Sequence, residues 1–268
     1  MKYEINSISY EADIRGEGPP LLLLHGFTGS KETWAPFYDK WEKTNQLISL
    51  DLIGHGETSS PYDIVKYRME SVVEDLCILL DELHIHQVHL LGYSMGGRLA
   101  LSFAVMFPER VGKLILESAS PGLKTEQERH LRKHQDEALA EEILAKGIPW
   151  FVHKWENITL FESQKSLPVH IQEKIREQRM KNNPIGLANS LRGMGTGVQP
   201  SWWERLSSLP MPVLFVTGEW DEKFVRIAED MKKLVPKAVH ERILDAGHAI
   251  HVEQREIFGK IVSGFLNE

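Results

Sequence analysis

The chain has 268 residues, of which 42% are hydrophobic and 26% charged, as in a globular protein with a large apolar core. This composition excludes a disordered, collagen-like or low-complexity chain. The balance of 31 basic and 38 acidic residues, a formal charge of −7, argues against nucleic-acid or anionic-membrane partners, although it leaves room for a local basic pocket. The single Cys77 cannot form an internal disulfide, and no signal peptide or apolar span is recognisable. We therefore expect a soluble cytoplasmic protein.

Short apolar runs bounded by turn residues recur along the chain, a pattern typical of strands buried on both faces of a sheet. They lie at residues 21–24, 47–50, 88–92, 113–117 and 213–217, with a further short run at 240–243. Helical patterns occupy 67–84 and 95–107, and a hairpin pattern at about 2–14 predicts antiparallel edge strands. The alternation predicts an α/β fold, with a mostly parallel central sheet flanked by helices.

The strand pattern stops between 122 and 208, where charge-rich helical segments containing Trp replace it. Pro121-Gly122 precedes this region and Leu209-Pro210-Met211-Pro212 follows it, both typical element boundaries. We predict an all-helical cap subdomain of residues 122–208, inserted into a core domain formed by residues 1–121 and 209–268.

The segment Gly92-Tyr93-Ser94-Met95-Gly96 has the pattern G-x-S-x-G between a predicted strand and a predicted helix. Small residues on both sides of the serine permit a strained turn that exposes its hydroxyl at the carboxyl end of the sheet, the arrangement called a nucleophile elbow. A plain glycine-rich turn is the alternative. The context favours Ser94 as a catalytic residue.

A serine hydroxyl needs a histidine to accept its proton, and the histidine needs a carboxylate to orient it. Asp221 and His248 each follow a predicted strand, so the chain order is Ser, Asp, His on loops at one edge of the sheet. Nearby residues could compete for these roles: Glu219, Glu222, Asp245 and His251.

The loop after the first buried strand, Leu24-His25-Gly26-Phe27-Thr28-Gly29, predicts an oxyanion hole formed by the backbone N–H groups of Phe27 and Met95. Two sets of histidines resemble metal-ligand spacings, but neither has a third ligand nearby, and no G-x-x-x-x-G-K phosphate loop occurs. We predict no metal and no cofactor. The histidines concerned are His84, His86 and His89, and His130 and His134.

With these motifs the chain resembles the α/β-hydrolase superfamily along nearly its whole length. Within it, the chain is similar to the family of 2-succinyl-6-hydroxy-2,4-cyclohexadiene-1-carboxylate synthases of menaquinone biosynthesis. The similarity rests on the elbow with an arginine four residues after the serine, on Ser118-Ala119-Ser120-Pro121-Gly122-Leu123, and on residues 186–197.

The resemblance implies a cofactor-free lyase that eliminates pyruvate from 2-succinyl-5-enolpyruvyl-6-hydroxy-3-cyclohexene-1-carboxylate, with the triad acting as a base. A small polycarboxylate partner calls for guanidinium groups, which bind planar anions through paired hydrogen bonds. By motif position the implied substrate-binding residues are Tyr93, Arg98, Arg132, Trp155 and Arg179, with Arg129 as the rival of Arg132. Without the resemblance, a surface salt bridge explains Arg98 equally well, and core packing explains Trp155. Arg132 and Arg179 would then be read first as solvated helix charges.

Two other functions fit the same residues. A serine carboxylesterase or C–C bond hydrolase would use the same triad with an apolar cleft, and a noncatalytic receptor would only bind a small molecule. We expect a monomer or a weak homo-oligomer.

Overall fold

The structure, a computed structural model, describes residues 1–268 and contains one eight-stranded sheet in the order β1-β2-β4-β3-β5-β6-β7-β8. The strands are β1 (Lys2–Ile5), β2 (Ile8–Arg15), β3 (Pro20–Leu24), β4 (Gln46–Leu50), β5 (Val88–Tyr93), β6 (Val111–Glu117), β7 (Val213–Gly218) and β8 (Ala238–Ile243). The first two strands are antiparallel to each other and β2 is antiparallel to β4, whereas the neighbouring pairs from β4 through β8 are parallel. The predicted α/β-hydrolase fold is confirmed.

Helices follow most of the strands and cover the sheet. They are α1 (Tyr38–Trp41), α2 (Met69–Glu82), α3 (Met95–Met106), α4 (Glu126–Trp155), α5 (Val169–Met180), α6 (Pro184–Met194), α7 (Glu222–Leu234), α8 (Ile250–Glu253) and α9 (Arg255–Asn267). Short 3-10 helices lie at 31–37, 64–67, 108–110, 159–166 and 203–208. The helix predicted at 67–84 is shorter at both ends, because a 3-10 turn precedes it and Leu83 ends it.

The continuous apolar run of β3 shows why these strands are buried on both faces. Leu22 and Leu24 belong to a cluster of 39 buried residues, and Leu21 and Leu23 to a separate cluster of 19. Successive side chains of a strand point to opposite faces, so an uninterrupted leucine run supplies both clusters.

The chain between β6 and β7 is helical. It begins with a capping box in which Thr125 accepts from the Glu128 N–H and Glu128 accepts from the Thr125 N–H. Gly147, with φ 79°, kinks α4 just before Pro149. Helices α4 and α6 bury a small cluster of eight residues that is distinct from the sheet clusters. The proposed division at residues 122 and 208 remains a prediction.

The turn from β5 into α3 is strained. Ser94 has φ 50° and ψ −106°, in the left-handed range that side chains rarely adopt. A Cβ at Gly92 would lie 2.3 Å from the Gly96 carbonyl oxygen, and one at Gly96 would lie 2.2 Å from the Leu24 carbonyl oxygen. The two glycines are therefore required because backbones approach each other too closely for a side chain.

We predict that Gly96→Ala destabilises the protein by about 2 kcal/mol or more, because the added methyl group collides with rigid backbone. Urea denaturation measures the change in the free energy of unfolding. The matched control is Gly264→Ala in α9, where an added Cβ meets nothing within 4 Å. That variant should be more stable by about 0.5–1 kcal/mol. An equal change in the free energy of unfolding in the two variants would contradict the steric explanation.

Candidate active site

Three side chains from the carboxyl edge of the sheet form a hydrogen-bonded chain. Ser94 Oγ lies 3.0 Å from His248 Nε2, and His248 Nδ1 lies 2.6 Å from Asp221 Oδ2. The imidazole and the carboxylate are buried, with side-chain exposures of 1% and 6%. A carboxylate on Nδ1 holds that proton in place and leaves Nε2 to accept the serine proton.

Packing holds the imidazole in this position. The ring of Phe224 lies 4.7 Å from the His248 ring, and Tyr93 and Phe161 approach it at 5.4 Å and 6.2 Å, measured between centroids. Phe224 belongs to the first turn of α7, which Asp221 caps by accepting from the Phe224 N–H at 3.5 Å. The residue that orients the histidine thus also begins the helix that packs on it.

The residues of the two predicted oxyanion donors line the same cavity as the serine. The N–H groups of Phe27 and Met95 donate to no other protein group, and both residues line the cavity that contains Ser94. Met95 is the first residue of α3, where the backbone N–H has no helical partner and the helix dipole favours negative charge. The pair is therefore available to a developing oxyanion.

His25 supports the loop that carries Phe27. The Leu52 N–H donates to His25 Nε2 at 3.0 Å, so the ring proton resides on Nδ1 and is donated to the Gly26 carbonyl at 2.8 Å. Complete burial lowers the pKa of His25 to about 4. The ring is neutral at pH 7, as this pair of bonds requires.

The serine opens into a cavity, here called the catalytic cavity, lined by Ser94, His248, Arg98, Arg132 and Trp155 among others. The Arg98 guanidinium donates through Nη1 to the Met194 carbonyl at 2.7 Å and to Gln199 Oε1 at 2.5 Å, with no carboxylate partner. Burial, with a contribution from nearby Arg132, lowers the pKa of Arg98 to about 10, and the group remains charged at neutral pH.

Arg132 is about one-third exposed, and its Nε donates to Asp136 Oδ1 at 2.7 Å. One carboxylate therefore faces the two guanidinium groups of this cavity. Arg129 does not line it, since its guanidinium donates to the carbonyls of Leu123 and Lys124. The geometry favours Arg132 over Arg129 as a ligand residue.

Arg179 lies in an adjoining cavity that shares Phe27, Tyr93 and Phe161 with the catalytic one. It is 7% exposed, donates to Gln164 Oε1 at 3.3 Å, and lies 4.7 Å from the centroid of the Phe161 ring. Burial lowers the pKa of this guanidinium. The structure therefore does not bring all three predicted arginines into one cavity.

Trp155 lines the catalytic cavity, with its ring 5.4 Å from Phe27 and 5.8 Å from Phe161. Its indole Nε1 is buried and has no hydrogen-bond acceptor. An indole N–H is a donor only, so Trp155 can both pack against a ligand ring and donate to it.

The competing acids and histidine have other partners. Glu219 lies 3.6 Å from Arg242, Glu222 bonds Arg226 on the surface, and Asp245 is exposed. His251 is buried against Glu117, which accepts from both its backbone N–H and its Nδ1 at 2.9 Å. Among the candidate acids and histidines, only Asp221 and His248 belong to the hydrogen-bonded chain that ends at Ser94.

Sequence reasoning missed two residues that the fold brings to the catalytic cavity. Gln199 orients Arg98 from 101 positions further along the chain, a distance at which no local pattern gives a signal. Lys223 lines the cavity two residues after Asp221, where the cation could have been noticed as unusual in the first turn of a helix.

The structure contains no group of three or more His, Cys, Asp or Glu side chains placed to hold a metal ion. His130 and His134 stack on each other on α4, with their Nε2 atoms 3.2 Å apart. None of the helices combines the length and the apolar character that crossing a bilayer requires.

An eight-stranded sheet with a serine, histidine and aspartate in this order at its carboxyl edge defines an α/β-hydrolase-fold protein. Consistently, a family model of the alpha/beta hydrolase fold matches residues 19–254.

More specific relatives were found by sequence and by structure. A protein of Bacillus subtilis (strain 168), provisionally named 2-succinyl-6-hydroxy-2,4-cyclohexadiene-1-carboxylate synthase, is 50% identical over 257 residues, covering 94% of this chain and 93% of the relative. The synthase of that name from Photorhabdus laumondii is 31% identical, covering 93% and 86%. The structure of MenH from S. aureus superposes with a TM-score of 0.92 at 39% identity, covering 96% and 97%.

An esterase from Thermogutta terrifontis in a malate-bound state is also similar, with a TM-score of 0.88, 26% identity and coverage of 100% and 97%. Its sequence identity to this chain is lower than that of the synthases, although it has the same fold. The chain belongs to the α/β-hydrolase superfamily and, within it, to the family of 2-succinyl-6-hydroxy-2,4-cyclohexadiene-1-carboxylate synthases.

We predict that Asp221→Asn lowers kcat by about 10⁴-fold while leaving the fold intact, because an amide no longer holds the imidazole in the required tautomer. Steady-state kinetics and circular dichroism measure the two effects. The matched controls are Glu219→Gln and Glu222→Gln, which should retain activity. Loss of activity in a control instead of in Asp221→Asn would show that another acid orients the histidine.

We also predict that His25 makes stability depend on pH. In the folded protein His25 has a pKa of about 4, whereas in the unfolded chain its pKa is near the ordinary histidine value of 6.5. Acid therefore favours unfolding, and the contribution of His25, complete above pH 6.5, is lost as the pH falls towards 4. Between pH 7 and 5 this loss is about 2 kcal/mol.

Urea unfolding of His25→Asn at the same two pH values should show a correspondingly smaller decline than the parent chain. The control is His170→Asn on the exposed face of α5, which should leave the decline unchanged. An undiminished decline in His25→Asn would assign the pH dependence to other groups.

Proposed function

We infer that the protein is a cofactor-free lyase of menaquinone biosynthesis, which eliminates pyruvate from 2-succinyl-5-enolpyruvyl-6-hydroxy-3-cyclohexene-1-carboxylate. The observation that carries this inference is a serine bonded to His248 in a cavity that also holds Arg98 and Arg132. Family membership agrees with it. The substrate has carboxylates on its succinyl, enolpyruvyl and ring parts, so fixed cations are the groups that such a cavity needs.

The names of substrate and product define the bond changes. A 3-cyclohexene becomes a 2,4-cyclohexadiene when the proton on C2 leaves and its electron pair forms the C2=C3 double bond. The C3=C4 pair then moves to C4=C5, and the bond from C5 to the enolpyruvyl oxygen breaks. The electron pair of the broken C5–O bond leaves on enolpyruvate, which gains a proton to become pyruvate. This sequence needs a base and a place for negative charge, and no acyl-enzyme.

Ser94 is the residue that would act as the base. His248, oriented by Asp221, accepts the hydroxyl proton and makes Ser94 Oγ basic enough to remove the ring proton. Charge then develops on the succinyl carbonyl oxygen conjugated with C2. The N–H groups of Phe27 and Met95 would bind it, and one preorganised donor of this kind is commonly worth about 3 kcal/mol.

The binding roles follow from the cavity walls. Arg98 and Arg132 would hold carboxylates next to Ser94, and Trp155 would pack on the ring and donate through Nε1. Tyr93 and Arg179 border the adjoining cavity and would bind a part of the substrate that extends past Phe161. Cations facing the serine also disfavour a simple esterase, whose acyl chain needs an apolar cleft.

We further propose a cytoplasmic location and a monomer or weak homo-oligomer.

The test is to supply the enolpyruvyl cyclohexene substrate and follow pyruvate release together with diene absorbance. We expect both signals, and Ser94→Ala should lower kcat by at least about 10³-fold because the base is lost. Ser208→Ala, at an exposed serine, is the matched control. Hydrolysis of a small aryl ester without pyruvate release from the cyclohexene would overturn the inference and favour an esterase.

A further inference from the structure

Lys223 is a third cation at the catalytic cavity. It follows Asp221 by two residues, in the first turn of α7. Its Nζ lies 5.5 Å from the centroid of the Phe224 ring, and the same ring lies 4.7 Å from the His248 ring. The ammonium group is therefore separated from the catalytic imidazole by a single aromatic ring.

The ammonium group has no carboxylate partner. The salt bridges of the protein include none to Lys223, although Asp221 and Glu222 are its neighbours in sequence. The carboxylate of Asp221 is bonded to His248, and that of Glu222 to Arg226. The acids nearest in sequence are thus directed to other groups.

The position is electrostatically unfavourable without a ligand. The first turn of a helix carries partial positive charge and favours acidic residues over Lys. Arg132 lines the same cavity and adds like charge. Burial, with a contribution from Arg132, lowers the pKa of Lys223, against a smaller opposing effect of Asp221. An anion in the cavity would offset both the helix end and the neighbouring guanidinium.

We propose that Lys223 binds a carboxylate of the substrate, as a third cation beside Arg98 and Arg132. This inference rests on the proposed function and deepens it. A polycarboxylate in contact with Ser94 would then be held by cations from three helices, the arginines of α3 and α4 and the lysine of α7. Lys223 is exposed as a whole residue and also lines the cavity, so an arriving anion can reach it from solvent.

Because such an interaction exists before and during the reaction, removing it should raise KM with little change in kcat. We expect Lys223→Met to raise KM about tenfold and to leave kcat within about threefold, the effect of one partly exposed charge-assisted hydrogen bond. Lys223→Arg should restore most of the affinity, since it keeps the cation.

Calorimetric binding of citrate, a nonreactive tricarboxylate, gives a second measurement that does not depend on turnover. Its Kd should rise about tenfold in Lys223→Met and remain unchanged in Arg226→Met, an exposed cation of the same helix that is bonded to Glu222. Urea midpoints show whether each variant is folded.

Unchanged KM and unchanged citrate affinity in folded Lys223→Met would overturn the proposal. A fall in kcat with KM and citrate affinity unchanged would also overturn it, by assigning Lys223 to the triad instead of the substrate. Absence of pyruvate release by the parent chain would contradict the proposed function, while the citrate measurement would still test Lys223 as an anion-binding residue.

Discussion

The close approach of three backbone segments at the end of β5 is the constraint on which the site depends. Gly92 lies against Gly96, and Gly96 lies against the carbonyl of Leu24, so the chain can reverse between strand and helix only through a left-handed Ser94. The same contacts join the β3 loop, which carries Phe27, to the start of α3 at Met95, and both residues line the cavity of Ser94. Ser94 and the two predicted oxyanion donors thus share one packing arrangement, so a single methyl group at Gly96 would affect all three.

The catalytic cavity is lined by cations, among them Arg98 and Arg132. The triad uses its only carboxylate on His248, and Arg98 is satisfied by neutral oxygens from Met194 and Gln199. Neutral partners orient a guanidinium without cancelling its charge, so the cavity remains positive although the whole chain carries −7. The acidic surface and an acidic ligand are therefore compatible, since the two charges occupy different regions.

The strands and the serine turn were predictable because each is encoded by a short local sequence pattern. Uninterrupted apolar runs such as 21–24 predict strands buried on both faces, and G-x-S-x-G between strand and helix predicts the Ser94 turn. Asp221 and His248 were identified because parallel strands end at a common edge. The predicted limits of α2 were wrong by two residues at each end. A 3-10 turn precedes the helix and continues its apolar pattern, and Leu83 caps its last turn at the other end.

By itself the sequence determined the fold class, the strained serine turn, the chain order of serine, acid and histidine, and a family resemblance that the relatives confirm. Only the tertiary structure decided which charged side chains meet. It set Arg132 apart from Arg129, placed Arg179 beyond Phe161, and brought Lys223 to the catalytic cavity. The physical reason is that a solvated helix charge and a cavity-lining charge have the same local pattern, and the difference lies in which helix packs against which.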